Sequence, residues 1–374
     1  MNKPVAFLGV LIPLVLVAIG QFAYCIDENF TITPTPNYES TVVADGLFSP
    51  SNVAIDPVSN RLFFVQAHKY DLLFNTDPAD KDAQHRAWES VGSEEAVYEL
   101  RDGKISRLCD GAGDTWGGVH FTQITCGYNG EIFVHGSTWI DEQIACCKID
   151  TPNRYVFWLN FPFGKFSGQI SKDFGGFAVS PIDKALYIFN TKEIGIDNLG
   201  TDNKSLVNWL KTDQLDPDAA IMFDGMTVDK SGNFYLFHAE GWGETRKKWI
   251  DVVKPDKTTD KLFVQDATEV VGKKASATGG AVIRYNPASN SLVSIGSIDD
   301  EPRKDGGMDW HWAIFSISLN DGKVALIAQI NNYNGNIFDL EVDGNGNIFI
   351  PLSFASKIIK ISPKNDKPTE NLPK

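Results

Sequence analysis

"FDGMTVDKSGNFYLF", residues 223–237, is the stretch whose reading decides the fold. Met226 and Val228, then Phe234 and Leu236, alternate with polar residues, the period-2 pattern of a half-buried strand. Between them "DKSGN" (229–233) carries turn chemistry, with Gly232 free to take a positive φ. The segment therefore reads as a β-hairpin, and an acid, Asp224, stands at its head.

The pattern recurs. Relatives stand at "NVAIDPVSNRLFFV" (52–65), "QITCGYNGEIFV" (123–134), "GFAVSPIDKALYIF" (176–189), "FSISLNDGKVALI" (315–327) and "DLEVDGNGNIFI" (339–350). Further hairpins fall between them at 96–108, 146–159 and 281–295. Two hairpins make a four-stranded antiparallel sheet, and sheets repeated at this spacing indicate an all-β chain folded as a β-propeller around a central channel. The six turns are spaced 70, 54, 48, 90 and 24 residues apart, so six blades are expected, with five or seven left open. The last interval is too short for four strands, so one copy there is an outer pair or the fifth blade is truncated. "SKIIKIS" (356–362) supplies another strand, and "STVVADGL" (40–47) can pair beside it, joining the chain ends and removing an exposed edge. "SLVNWLKTDQL" (205–215) is the best helix candidate, as a connection.

The ends differ from this rhythm. Lys3 is the only charge before Asp27, and residues 4–20 are apolar apart from Pro and Gly. Residues 1–25 read as a secretory signal peptide with Ala23 and Cys25 at the cleavage site; an uncleaved membrane anchor is the competing reading. A short N-terminal extension (26–39), the propeller (40–362) and a flexible tail (363–374) would follow. Without Cys25, four cysteines remain: Cys109, Cys126, Cys146 and Cys147. Two disulfides within 109–147 are expected, with their pairing open and an adjacent Cys146–Cys147 bond less favoured. Asn29 and Asn203 head glycosylation sequons, in keeping with a secreted, extracellular protein.

Without Lys3, 33 basic side chains stand against 48 acidic ones, a net charge of −15. Such a surface repels phosphate backbones and anionic lipid, so nucleic acid is not expected as a partner, nor a membrane once the signal is removed. A monomer is expected.

"FDGMTVDKSGNFYLFHAEGW" and "GGAVIRYNPASNSLVSI" resemble the regucalcin, gluconolactonase and luciferin-regenerating group of six-bladed propellers, and "SPSNVAIDPVSNRLFFV" resembles both their first blade and NHL repeats. The resemblance implies a divalent cation, usually calcium, held in the channel by oxygens at the starts of inner strands and serving lactone or ester hydrolysis. Asp224 matches the metal-binding acid of that family. Ser51, Gly175 and Thr122 or Gln123 stand where the other ligands would be, with Asp339 as a substitute from a neighbouring blade. One carboxylate among neutral oxygens is a poor calcium site. Asp224 is therefore either a turn cap or a metal ligand, and catalytic residues are not assigned.

Gly-x-Ser-x-Gly, His-Glu-x-x-His and phosphate-binding loop motifs are absent. "VDGNGN" (342–347) reads as a hairpin turn rather than a calcium loop. "DTWGGVHF" (114–121), "HAEGWGETRKKW" (238–249) and "GGMDWHWAIF" (306–315) each set Trp and His beside glycines next to a strand. Trp116, His120, Trp242, Trp310 and His311 are the candidate ligand contacts, apolar faces with a few donors; interblade packing is the alternative role for the tryptophans. Three functions follow: a secreted propeller binding a small, partly apolar ligand without catalysis, a calcium-dependent lactonase or arylesterase, and an extracellular scaffold for another protein.

Overall fold

The computed structural model describes residues 30–47, 49–67, 95–110, 120–137, 142–161, 174–190, 195–199, 206–211, 225–236, 249–278, 282–302, 308–333, 335 and 337–364. The N-terminal part forms two strands, β1 (Thr31–Pro34) and β2 (Tyr38–Ala44). Six antiparallel sheets then account for the chain. Blade 1 is β3 (Asn52–Ile55), β4 (Leu62–Ala67), β5 (Glu95–Arg101) and β6 (Lys104–Asp110). Blade 2 is β7 (His120–Cys126), β8 (Glu131–Ser137), β9 (Glu142–Lys148) and β10 (Thr151–Phe161). Blade 3 is β11 (Phe174–Val179), β12 (Leu186–Asn190), β13 (Gly195–Leu199) and β14 (Leu206–Lys211). Blade 4 is β15 (Met226–Val228), β16 (Phe234–Leu236), β17 (Trp249–Val253) and β18 (Thr259–Phe263).

Among the described residues one short α-helix, α1 (Ala267–Val271), and β19 (Ala275–Ser276) precede blade 5, which is β20 (Ile283–Asn286), β21 (Ser291–Pro302), β22 (Met308–Ser318) and β23 (Val324–Asn331). β1 adds a fifth strand along β23, and β19 pairs with the far end of β21. Blade 6 is β24 (Glu341–Val342), β25 (Ile348–Leu352) and β26 (Lys357–Pro363), completed on its outer edge by β2 from the other end of the chain. Ser40 lies opposite Ile361 and Val42 opposite Ile359, the closure expected from 40–47 and 356–362. The short last interval is explained as well: residues 315–327 are the outer pair of blade 5, whose inner pair is 283–294. The expected helix at 205–215 is instead the edge strand β14, paired with β13. Val207 lies opposite Asn198 and Leu210 opposite Ile196, and this pairing outweighs local helix preference.

Why the hairpin pattern repeats is visible in its turns. Asp229 closes the blade 4 turn by accepting from the Ser231 and Asn233 backbone N–H groups at 2.8 and 2.9 Å, and from the Tyr235 hydroxyl at 3.0 Å. Asp56 holds Val58 and Ser59 in blade 1, and Asp343 holds Asn345 and Asn347 in blade 6. A side chain that caps the turn satisfies amides that a two-stranded edge would leave bare. Gly232 takes φ 82°, as the turn requires. Both Asp343 oxygens are spent inside the "VDGNGN" turn, so this loop is a turn and not a calcium loop.

The apolar faces of the blades pack pairwise. Among the described residues a separate buried cluster fills each of the six interfaces, for example Met226, Phe234 and Leu236 against Ala178, Tyr187 and Phe189 between blades 3 and 4. Trp209 joins that interface edge-on to Tyr187 and Phe234, at 5.2 and 5.6 Å between ring centroids. Polar ties at the innermost strands supplement the packing: the Tyr285 N–H donates to Thr227 Oγ1 at 3.0 Å between blades 4 and 5, and Ser353 Oγ donates to the Pro50 carbonyl at 2.6 Å between blades 6 and 1.

Candidate functional site

The inner strands β3, β7, β11, β15, β20 and β24 all begin at the same end of the propeller, which also carries the second-to-third-strand connections of each blade. The longest stretch between consecutive strands of a blade, 68–94 between β4 and β5, lies outside the described residues. At the opposite end the strands are joined mostly by short turns such as 102–103 and 229–233. Long connections on a rigid scaffold are where binding groups are carried.

Three inner strands meet in a buried polar cluster at this end. Asp339, just ahead of β24, accepts from Arg284 Nη2 at 2.7 Å, from the Val53 N–H at 2.9 Å and from its neighbour Leu340 N–H at 2.8 Å. The Asn52 side chain bonds to the same carboxylate. Arg284 also places Nε 3.4 Å from Glu341 Oε2. Blades 5, 6 and 1 are thus tied through one carboxylate. Burial pushes the Asp339 carboxyl up to about 6, against the pull of Arg284 and the amide donors. Burial likewise pushes Glu341 up to about 7, Arg284 again opposing it.

On β7, Gln123 is buried and its Oε1 has no hydrogen-bond partner among the described residues. A buried carbonyl oxygen left in this state costs about 1–3 kcal/mol, so a ligand N–H or O–H reaching it would recover that cost. Gln123 sits in the innermost strand of blade 2, directly opposite His135 of β8.

Farther out on the same end, the β21–β22 hairpin extends past β20 and carries an aromatic shelf. Trp310 is 39% exposed and packs edge-on to Trp312 at 4.7 Å. Trp312 is buried in the core between blades 5 and 6 and donates from Nε1 to the Gly335 carbonyl at 2.9 Å. Tyr333 and Phe354 continue the shelf, with ring centroids 6.5 Å apart. Beside Trp310, His311 faces Asp300 Oδ2 through Nδ1 at 2.8 Å and Gln329 Oε1 through Nε2 at 3.0 Å. Burial works against the Asp300 carboxylate, but the bond from His311 and the nearby Lys273 ammonium overcome it and lower its pKa.

Of the ligand contacts expected from sequence, Trp310 and His311 stand on the third strand of blade 5, at the rim rather than on the inner wall. Both His311 nitrogens are engaged by neighbours, so its role here is to hold the hairpin. His120 opens β7 opposite Ser137. Trp116, Trp242, Asp224, Asn29, Asn203 and the segment 1–25 lie outside the described residues. Cys109, Cys126, Cys146 and Cys147 are all buried and no disulfide joins them, so the two expected disulfides are not shown.

Asp224, the acid that the resemblance makes a calcium ligand, lies outside the described residues. They contain no group of three His, Cys, Asp or Glu placed to hold a metal ion. Ser51 uses its backbone N–H on the Val65 carbonyl, and Asp339, the substitute acid, has both oxygens committed to Arg284 and backbone amides. Neither Arg284 nor Glu341 is singled out from sequence, whereas Gln123 is, with Thr122, the candidate for the ligand position of blade 2. A charged residue inside the apolar run "AVIRYN" was the signal available for Arg284.

No family model and no curated protein matches the chain. Solved structures do. A gluconolactonase from Xanthomonas campestris superposes with a TM-score of 0.50 at 11% identity, over 89% of this chain and 92% of that one. The PQQ domain of pyranose dehydrogenase from Coprinopsis cinerea gives a TM-score of 0.48 at 9% identity, covering 89% and 97%. A streptogramin B lyase gives 0.47 at 9% identity, covering 90% and 98%. The likeness to the gluconolactonase concerns architecture alone: this chain has a six-bladed β-propeller fold.

Proposed function

We propose that the protein is exported and binds a small, partly apolar ligand, without catalysis, at the end where its inner strands begin. The observation that carries this reading is Gln123 Oε1, a buried acceptor in the innermost strand of blade 2 without a partner among the described residues. An unpaired polar atom in a core calls for a reason, and a bound ligand that donates to it is one. The exposed face of Trp310 at the rim supports the same reading, since an aromatic face contributes apolar contact area to a ligand. The Arg284–Asp339–Glu341 cluster supports a structural use of the charged inner-strand groups, because the one guanidinium already pairs with both carboxylates.

Titration of the purified protein with a panel of hexoses, aldonolactones and simple aromatic alcohols, followed by tryptophan fluorescence and thermal shift, tests the reading. A saturable response that weakens in Gln123→Met and in Trp310→Ala is expected. Calcium-dependent hydrolysis of a lactone or aryl ester, abolished by Asp224→Asn, would replace this reading with that of an enzyme. A protein partner captured on this end, with no response to any small molecule, would replace it with a scaffold.

A further inference from the structure

The four cysteines allow three complete pairings and six individual bonds on paper, and strand register excludes four of the six. Cys146 and Cys147 are consecutive in β9, so their side chains leave opposite faces of the sheet. Cys147 enters the core between blades 1 and 2, whereas Cys146 enters the core between blades 2 and 3. A bond between them, or from Cys146 to Cys109 or Cys126, would have to cross the sheet. Cys126 and Cys147 share a face, but Ile132 of β8 lies between them as the direct partner of both. Two strand spacings put their Cα atoms about 10 Å apart, beyond the ~7 Å that a disulfide spans.

Cys109 remains. It lies in β6, opposite Val97, and enters the same interblade core as Cys147. Both residues are fully buried, and their thiols are hydrogen-bonded to each other. We propose that Cys109 and Cys147 form a single disulfide that staples blade 1 to blade 2 in the exported protein, while Cys126 and Cys146 stay as thiols. The inference rests on the export proposed above, because only an oxidising compartment sustains such a bond.

The bond forms during folding, before the interface closes, by exchange with an external disulfide such as oxidised glutathione or an oxidised dithiol protein. One cysteine, as thiolate, attacks the external disulfide and displaces one of its sulfurs as a thiol. The second then attacks the mixed disulfide and displaces the other. Two electrons pass from the cysteine pair to the external S–S bond, which leaves as two thiols, and the two cysteine protons end on those thiols. Burial pushes the Cys146 thiol up to about 12, which keeps it unreactive in the folded protein.

The test is a non-reducing peptide map, with alkylation under denaturing conditions, of the full chain expressed for export and recovered from culture medium. In parallel, the chain purified from a reducing cytosol is refolded in a glutathione redox buffer. The expected result in both samples is one Cys109–Cys147 cross-link, with Cys126 and Cys146 alkylated. Reduction should lower Tm by roughly 5 °C. Cys109→Ser and Cys147→Ser should abolish that shift, whereas Cys126→Ser and Cys146→Ser should keep it. A bond involving Cys126 or Cys146, or four alkylated thiols in the refolded sample, would overturn the proposal. Failure to reach the medium, with the bond formed on refolding, would count against export and leave the pairing standing.

Discussion

Arg284 Nη2 donates to Asp339 Oδ1 at 2.7 Å, a bond that runs from the inner strand of blade 5 to the head of the inner strand of blade 6 while the other Asp339 oxygen holds the Val53 amide of blade 1. Three blades far apart in sequence are joined at one carboxylate that is completely buried. Breaking a buried pair costs more than the pair contributes, because the partner left behind keeps its charge without solvent. Arg284→Met is therefore expected to destabilise the protein by about 3–5 kcal/mol, read from the denaturant midpoint. The double variant Arg284→Met/Asp339→Asn should recover part of that loss; strict additivity would show that the two side chains do not act as a unit.

The same cluster sets a pH dependence. Asp339 and Glu341 hold their protons more tightly when folded than at their ordinary values of 3.8 and 4.5, at about 6 and about 7 respectively. Between those limits the folded chain binds more protons than the unfolded one, so these two groups make stability fall as pH rises. Tm measured from pH 4 to 8 should thus show a downward contribution that Asp339→Asn and Glu341→Gln each reduce. A wild-type slope unaltered by either variant would refute it.

Gln123 offers a trade-off. Replacing it by Met removes an unpaired buried oxygen while keeping the length of the side chain. The free protein should then gain about 1 kcal/mol, seen as a higher Tm, and lose its response to ligand. A drop in stability instead would mean that the amide makes a bond essential to the free fold.

The two neighbouring tryptophans should separate cleanly. Trp312 fills the interface between blades 5 and 6 and donates to the Gly335 carbonyl, so Trp312→Ala is expected to cost about 3–5 kcal/mol. Trp310 is largely at the surface, and Trp310→Ala should cost less than about 1 kcal/mol while reducing the ligand response. Equal losses of stability in both variants, by chemical denaturation, would contradict this division.

Gly232 supplies a control for the turn that organises each blade. Its φ is 82°, and an added Cβ would lie 2.8 Å from Ile182 Cγ1 in the turn of the neighbouring blade. Gly232→Ala should destabilise by at least about 1–2 kcal/mol from backbone conformation alone. An unchanged Tm would show that the turn can relax without loss.

Much of this protein was legible in its sequence because the relevant forces are local. Alternation around 229–233 sets two strands and their faces, Asp229 caps its own turn, and Gly232 takes a conformation open to few other residues. Repetition of that unit implies blades, and the apolar strand at 356–362 seeks an edge partner that 40–47 supplies. Other features depend on closure of the ring. Leu206–Lys211 reads as a helix until β13 gives it a pairing edge. Cys109 and Cys147 become neighbours because two blades pack, while the adjacent Cys146 and Cys147 are parted by the sheet between them. Arg284 meets Asp339 across 55 residues, and Asp339 meets Val53 across 286. The energy of those contacts comes from burial at the inner strands, which exists only once all six blades have closed, so no local pattern could announce them.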